Sequence, residues 1–333
     1  MSILYINESV MRQLGLMDQE ILGSVWEKLA DGLVAFGEGR ANLPLDSYLR
    51  TPSDEQFDRI IAKSGVIEEI AGLKWIASAP LNTQKGLPRA TGLLILNDVV
   101  TGFVYAILDA VPISNVRTAG CSILFLKHYR PLFKRAVIFG AGVHGREHLR
   151  QLMFGKKAGH FPHLEEICIY DQFPEASKKF SAEYTQDIKV LGQLSEVPQD
   201  DTAIIYCTNA LVPYVGAEYV KSYQGLTAVH MSLRDYTAEG LAAFDYCVAD
   251  STQHVAKAKT SVDLAAQAGL LNLDEVHELP QLLIQERKGE ANPFPMKSNV
   301  VFNPMGLGSH DLVLGRHVYE LAQAAGLGVE LPV

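Results

Sequence analysis

The chain has 333 residues, 48% of them hydrophobic and 20% charged, enough apolar chain to build two ordinary hydrophobic cores. Its formal charge of −9 argues against a protein that coats nucleic acid or an anionic membrane, since such partners are met by a positive surface that displaces counterions. A local basic pocket is compatible with that balance.

After a short opening strand, Ile21, Val25, Leu29 and Leu33 recur at helical spacing and predict an amphipathic helix over 18–36. Two apolar, β-rich runs follow, Gly72–Ala77 and Thr91–Asn97. A third, Phe103–Leu108, comes after the turn signal Asn97-Asp98…Gly102. These predict neighbouring strands of one sheet in an N-terminal α+β domain. Pro112 suits the first residue of a helix running to about Tyr129.

From Lys134 the rhythm changes. Short apolar strands at 136–139, 166–170, 203–207, 226–231 and 246–249 alternate with segments of helical spacing, which predicts a parallel sheet with helices on both faces. Val300–Gly306 reads as a strand leading into a loop. A last amphipathic helix is expected over 311–325, returning to the first domain. The fold class is therefore α/β, with boundaries placed at 1–130 plus about 307–333 for the first domain and 131–306 for the second.

The four cysteines, Cys121, Cys168, Cys207 and Cys247, form no CxxC pair and sit among apolar neighbours, the pattern of buried thiols in a reducing compartment. The start, Met1-Ser-Ile-Leu-Tyr-Ile-Asn7, lacks the basic and long apolar regions of a signal peptide. Arg117 and Lys127 interrupt the best apolar run. A soluble cytoplasmic protein, without nucleic-acid or membrane partners, is the expectation.

Gly140, Gly142 and Gly145 follow the strand Ala136–Phe139 and open a stretch of helix formers, the context a dinucleotide-binding Rossmann turn requires. The first glycine permits the tight turn and the second admits a pyrophosphate. The third lets helix and strand pack closely, while free N–H groups of Val143, His144 and Gly145 face the anion. The next strand ends at Asp171, whose carboxylate would accept from ribose hydroxyls and repel a 2′-phosphate. No arginine follows in Gln172-Phe173-Pro174, so NAD is favoured over NADP. A glycine turn with no ligand is the bland alternative.

Strand-end loops should line the cofactor cleft, which singles out Thr208 and Asn209 in one loop and Ser232 and Asp235 in another. Asp235 can meet substrate near the nicotinamide, or can simply cap a helix over 236–242. Lys74 and Arg117 are isolated cations in apolar surroundings, and each needs an anionic partner or a ligand. Arg50 and Arg89 lie near loops, where a solvated surface is the default. His144 and His148 have i,i+4 spacing, but nothing completes a metal site, and no metal is expected.

Taken together, Gly72-Leu-Lys74, Ser114-Asn-Val-Arg-Thr-Ala119, the glycine turn, Tyr170-Asp171, Asp235 and Asn303-Pro-Met-Gly306 resemble the ornithine cyclodeaminase/mu-crystallin family over nearly the full chain. The resemblance implies that Lys74, Arg50 and Arg117 grip a substrate carboxylate. It also implies that Asp235 handles protons or water, that Thr118 joins the cofactor-binding residues, and that a homodimer forms through the N-terminal sheet. Within the family, Pro44–Arg50, Asp58–Ala62, Arg89-Ala-Thr-Gly92, Ile95–Asn97 with Asp98, and Tyr170-Asp-Gln-Phe173 are similar to the NAD-dependent dehydrogenases of 2,3-diaminopropionate biosynthesis in siderophore and peptide-antibiotic pathways. The implied reaction is oxidation of N-(1-amino-1-carboxy-2-ethyl)-glutamate and hydrolysis of the imine to 2-oxoglutarate and 2,3-diaminopropionate.

One departure from the cyclodeaminases stands out. Ile61 occupies the place of the glutamate that receives the distal amine of ornithine, with Arg59 and Lys63 beside it. A pocket richer in cations suits a substrate with several carboxylates, the second held by Arg89 or Arg59. A cyclodeaminase, an alanine-type dehydrogenase and a non-catalytic binding protein of mu-crystallin type are the alternatives.

Overall fold

The computed structural model describes residues 2–18, 21–50, 59–79, 82, 85–184, 187–257 and 259–332. Asp58, quoted above, lies outside them. The chain divides into two compact units, Met1–Arg117 with Gly306–Val333, and Thr118–Met305. The division falls inside the helix Ala110–Tyr129, which begins two residues before Pro112.

The first unit is built on a mostly antiparallel sheet. Its strands run in the order Val329–Pro332, Ser2–Ile6, Val104–Asp109, Ala90–Asp98, Ile70–Ser78, Arg59–Ile67 and Ala41–Asn42, with Ser47–Arg50 also paired to Arg59–Ile67. Strand periodicity is plain at the end of Arg59–Ile67, where buried Lys63, Gly65 and Ile67 alternate with exposed Ser64 and Val66. The helices Leu22–Gly37 and Gly308–Ala325 belong to the same unit. The latter starts three residues earlier than its periodicity predicts, at a glycine.

Close helix–sheet packing has a specific cause. Gly65 and Gly72 are cross-strand partners, and a Cβ on Gly72 would meet Leu312 Cδ2 at 2.7 Å. The missing side chains let the C-terminal helix settle onto the sheet. Two pairs along the same ladder, and so on the same face, Lys63 pairs with Lys74, so the first turn of that helix comes to lie beside two lysines.

The second unit is an eight-stranded, fully parallel sheet. Its order is Ile188–Val190, Glu166–Tyr170, Arg135–Phe139, Thr202–Tyr206, Thr227–Val229, Val300–Asn303, Tyr246–Ala249 and His277–Glu278. Strand order reverses beside Arg135–Phe139, the switch point at which such sheets bind ligands at their carboxyl ends. Phe139, Tyr206, Val137, Ile204 and Val301 lie in its fully buried core. All four cysteines are free and buried. Among the described residues no helix is long and apolar enough to cross a membrane.

Candidate functional site

In the first unit a charged cluster is sealed beneath the C-terminal helix. Lys74 is 2% exposed, and its Nζ lies 2.7 Å from Asp311 Oδ2 and 3.3 Å from Ser114 Oγ. Arg117, 8% exposed, reaches the other oxygen of the same carboxylate through Nε at 3.2 Å and donates from Nη2 to Ser114 Oγ. Gly306 makes room for this guanidinium, since a Cβ there would meet Nη1 at 2.2 Å. That is a physical reason for the glycine in Asn303-Pro-Met-Gly306. Burial pushes the Lys74 ammonium down to about 7, opposed by the Asp311 charge and reinforced by Arg117 and Lys63. Burial would raise Asp311, but Arg117 and Lys74 outweigh it and hold the carboxyl at about 2.

Two more side chains complete the cluster. Lys63 donates to Gly306 O at 2.7 Å and pairs with Asp46 at 2.6 Å. His310 is fully buried, neither ring nitrogen is hydrogen-bonded among the described residues, and burial, then the Arg117 charge, lowers it to about 3, so it is neutral. The isolated basic pair of the sequence thus has an internal anion, Asp311, which the sequence reading did not single out.

Further along the same face lie Arg50 and Arg59, and Arg89 stands just before the strand Ala90–Asp98. Arg50 is exposed on its strand and is the cross-strand partner of Arg59. Arg59 sits over the Tyr48 ring at 5.9 Å and has a buried Nε with no hydrogen-bond partner among the described residues. Partial desolvation, and then the charge of Arg59, lower Arg89 from the ordinary arginine value, although its residue surface is exposed. Among the described residues neither Arg59 nor Arg89 has a carboxylate partner. Like charges held close without an anion mark a place where an anion is favoured.

In the parallel-sheet unit the glycine turn has the steric signature of a nucleotide site. Gly140 has φ +103°, and a Cβ on Gly145 would meet Gly140 O at 2.1 Å. By contrast a Cβ on Gly142, the N-cap of the helix Val143–Lys157, would meet nothing within 4 Å. Open space therefore lies where a pyrophosphate would approach the helix N-terminus. Val143 is 62% exposed and His144 partly so. Asp171 accepts from the Ala141 and Phe173 N–H groups, each at 2.9 Å, so it braces the turn and keeps lone pairs for ribose hydroxyls. His148 bonds the His144 carbonyl at 2.7 Å and Ser122 Oγ at 2.9 Å. Both of its nitrogens are thus engaged inside the unit, not turned towards a ligand. Thr118 is 8% exposed in the same unit, and Asn209 is exposed.

Asp235 is the most elaborated carboxylate of this unit. It is fully buried and accepts from Thr208 Oγ1 at 2.5 Å, from Tyr214 OH at 3.1 Å and from Ser232 Oγ. His230 Nε2 lies 3.2 Å from Oδ2 and accepts the Asp235 N–H at 3.0 Å. Asn303 turns its Nδ2 to Cys247 Sγ and Val248 O, so its Oδ1 faces His230 Nδ1 and fixes the proton there. Burial acts to raise Asp235, and the contact with the His230 imidazole and the hydrogen bonds from Ser232 and Thr208 overcome it, leaving an anion below the usual carboxylate range. The helix that follows is Ala238–Leu241, capped by Thr237. Capping is therefore not the role of Asp235. Leu233, inside the same loop, takes φ +65°, a strained value for a branched side chain.

Sequence reasoning missed Asp311, His310, Asp46, His230 and Tyr214. A period-2 count from Lys63 across the turn to Lys74 was the available signal for the first cluster. Tyr214 gives no local signal, because a backbone bridge between separate loops brings it to Asp235, whereas His230 stands only five residues before Asp235, at the end of the strand that leads to it.

Residues 7–326 match the model of the Ornithine cyclodeaminase/mu-crystallin family. Similar to the chain is the N-((2S)-2-amino-2-carboxyethyl)-L-glutamate dehydrogenase of Staphylococcus aureus, 28% identical, with 99% of this chain and 98% of that protein covered. Among solved structures, the Thermococcus litoralis Delta(1)-pyrroline-2-carboxylate reductase in complex with NADH and L-proline superposes with a TM-score of 0.84 at 23% identity, covering 99% of this chain and 100% of that one. An archaeal alanine dehydrogenase dimer with bound NAD does so with a TM-score of 0.84 at 21% identity, covering 100% and 99%.

Proposed function

This chain belongs to the ornithine cyclodeaminase/mu-crystallin family, and on that premise we propose that it is an NAD-dependent dehydrogenase of an amino-acid conjugate bearing several carboxylates. The substrate that fits best is N-(1-amino-1-carboxy-2-ethyl)-glutamate, as for the similar S. aureus dehydrogenase. The observation that carries the choice is Arg59 beside Arg89, two cations without a carboxylate partner among the described residues, in addition to the Lys74–Arg117 pair. A monocarboxylate substrate has no use for them.

The two units supply different parts of the chemistry. Lys74 and Arg117 orient one substrate carboxylate, with Arg50 as a further donor, and orientation of this kind removes several kcal/mol of a barrier, roughly 7 or more in the best cases. Arg59 and Arg89 take a second carboxylate. The turn at Gly140, Gly142 and Gly145, with Asp171 and the loop residues Thr208, Asn209 and Ser232, holds NAD, which accepts the hydride from the glutamate Cα when bound. Asp235 stabilises the resulting positive charge on the substrate nitrogen and takes a proton from the water that attacks the C=N carbon. The conjugate, NAD and water thereby give 2-oxoglutarate, 2,3-diaminopropionate, NADH and one proton.

The unit Met1–Arg117 with Gly306–Val333 also offers a surface for self-association. The sheet face away from Lys74 carries Trp75, Leu93 and Val66, each 40% exposed, and Leu49 at 49%. A homodimer through this face agrees with the dimeric alanine dehydrogenase of similar fold. Trp75→Glu should convert a dimer to a monomer in light scattering, and a monomeric parent protein would remove this part of the proposal. A cytoplasmic location fits the buried free thiols. For the reaction itself, mass analysis after incubation with NAD and the conjugate should find 2-oxoglutarate and 2,3-diaminopropionate in equal amounts. Neither product appearing would refute the substrate.

A further inference from the structure

We propose that Asp311 is a positioning residue for carboxylate recognition, a built-in counter-ion that orients the donors of Lys74 and Arg117 and reduces their joint charge to that of one substrate carboxylate. The inference rests on the carboxylate-binding role given above to Lys74 and Arg117.

Asp311 sits in the first turn of the C-terminal helix, where the helix dipole favours an anion. It bridges the two cations with different oxygens, Oδ2 to Lys74 at 2.7 Å and Oδ1 to Arg117 at 3.2 Å, while Ser114 Oγ lies 3.3 Å from each. The two cations come from a strand and from a helix, so this shared pair of acceptors fixes one relative to the other. Donors remain beyond those contacts. An ammonium has three N–H groups and a guanidinium five, and Arg117 Nη1 takes no part in either contact.

The charges facing Lys74 can be counted element by element. Lys63, on the neighbouring strand, is offset by Asp46 at 2.6 Å, both side chains being under a tenth exposed. His310, on the C-terminal helix, is neutral. That leaves Lys74, Arg117 and Asp311, one net positive charge in a place 0 to 8% exposed. A single carboxylate would neutralise it. Without Asp311 the two cations would be buried together with no anion, and Lys74, which burial already holds down at about 7, would surrender its proton and with it both charge and donor.

Calorimetric titration of pyruvate, a one-carboxylate oxo acid, into the full chain with saturating NADH tests this between about pH 6 and pH 9, the span in which Lys74 titrates. In the parent protein affinity should weaken as the pH rises past about 7. In Asp311→Asn it should fall at least about tenfold at neutral pH, with the weakening displaced to lower pH. NADH affinity, read by fluorescence, should be unchanged. Asp311→Glu keeps the charge and should recover most of the affinity. If Asp311→Asn does not fold, Asp311→Glu carries the test, because its longer side chain should still displace the pH limb. A purely structural Asp311 would instead reduce the fraction of protein that binds NADH and leave the affinity and pH profile of that fraction as in the parent, which would overturn the inference. No pyruvate binding by the parent at any pH would overturn the carboxylate site itself, and the role of Asp311 with it.

Discussion

Lys63 and Lys74 are direct cross-strand partners on one face of the antiparallel sheet, yet each ammonium has its own buried carboxylate, Asp46 at 2.6 Å for Lys63 and Asp311 at 2.7 Å for Lys74. Like charges placed opposite one another repel. Two separate anions, from an N-terminal loop and from the C-terminal helix, make the pairing tolerable and tie both ends of the chain to the middle of the sheet. Among the described residues the Lys74 half of the arrangement includes an arginine, Arg117, and that is the half assigned to substrate.

Asp235 accepts hydrogen bonds from Thr208, Ser232 and Tyr214, has His230 Nε2 at 3.2 Å from Oδ2, and is anionic despite complete burial. Asp235→Asn keeps the volume and removes the charge. Turnover should fall by at least about 100-fold, the lower end for loss of a general base. NADH affinity should stay within about twofold. Steady-state NADH formation and fluorescence titration check the two halves, and turnover near the parent level would take Asp235 out of the chemistry.

The glycine turn separates folding from nucleotide binding. Gly142→Ala meets nothing within 4 Å and adopts an ordinary extended conformation at φ −84°, so the melting temperature should not move. Its methyl group would occupy the pyrophosphate approach, and NADH affinity should drop about tenfold or more, some 1.4 kcal/mol. Gly145→Ala collides with Gly140 O at 2.1 Å and should lose both stability and binding. Equal behaviour of the two variants would contradict the assignment.

Arg59 and Arg89 should govern substrate choice. A charge-assisted hydrogen bond is worth about 1.5–3 kcal/mol, so Arg59→Ala or Arg89→Ala should lower kcat/KM for the glutamate conjugate by roughly 10- to 100-fold. Any activity on alanine should be unaffected. A uniform loss on both substrates would mean that these arginines do not read the second carboxylate.

How far the sequence foretells this site depends on whether the signal is local. Gly140 and Gly145 are legible because a steric demand within six residues dictates them. Asp235 is legible from its place after an apolar strand, but its freedom from capping duty is not, since only the structure shows that Thr237 starts the helix. The strand Arg59–Ile67 escapes a hydropathy reading because Arg59 and Lys63 interrupt its apolar pattern, Lys63 as a buried member of the charged cluster. Asp311 looks like one polar residue of an amphipathic helix. Its meaning comes from Gly65 and Gly72, which draw that helix down onto the lysines.

Two buried neutral histidines make acid sensitivity calculable in sign. Burial lowers His148 to about 4 and His310 to about 3, from 6.5 in the unfolded chain. Below 6.5 the unfolded chain binds these protons while the folded chain does not, so stability falls as the pH drops from 6.5 towards those values. The slope approaches about 1.4 kcal/mol per pH unit for each histidine. Urea unfolding at several pH values should show this, and His310→Leu should reduce the slope by one proton's share. An unchanged slope in that variant would show that His310 is protonated in the folded chain.

The most direct test of the account is the absorbance of NADH formed from NAD by the purified protein with the glutamate–diaminopropionate conjugate, alanine and ornithine supplied in turn. NADH accumulating with the conjugate and far more slowly with alanine is the predicted result. No NADH from any of the three, with proline and ammonia appearing from ornithine, would contradict it and make the protein a cyclodeaminase.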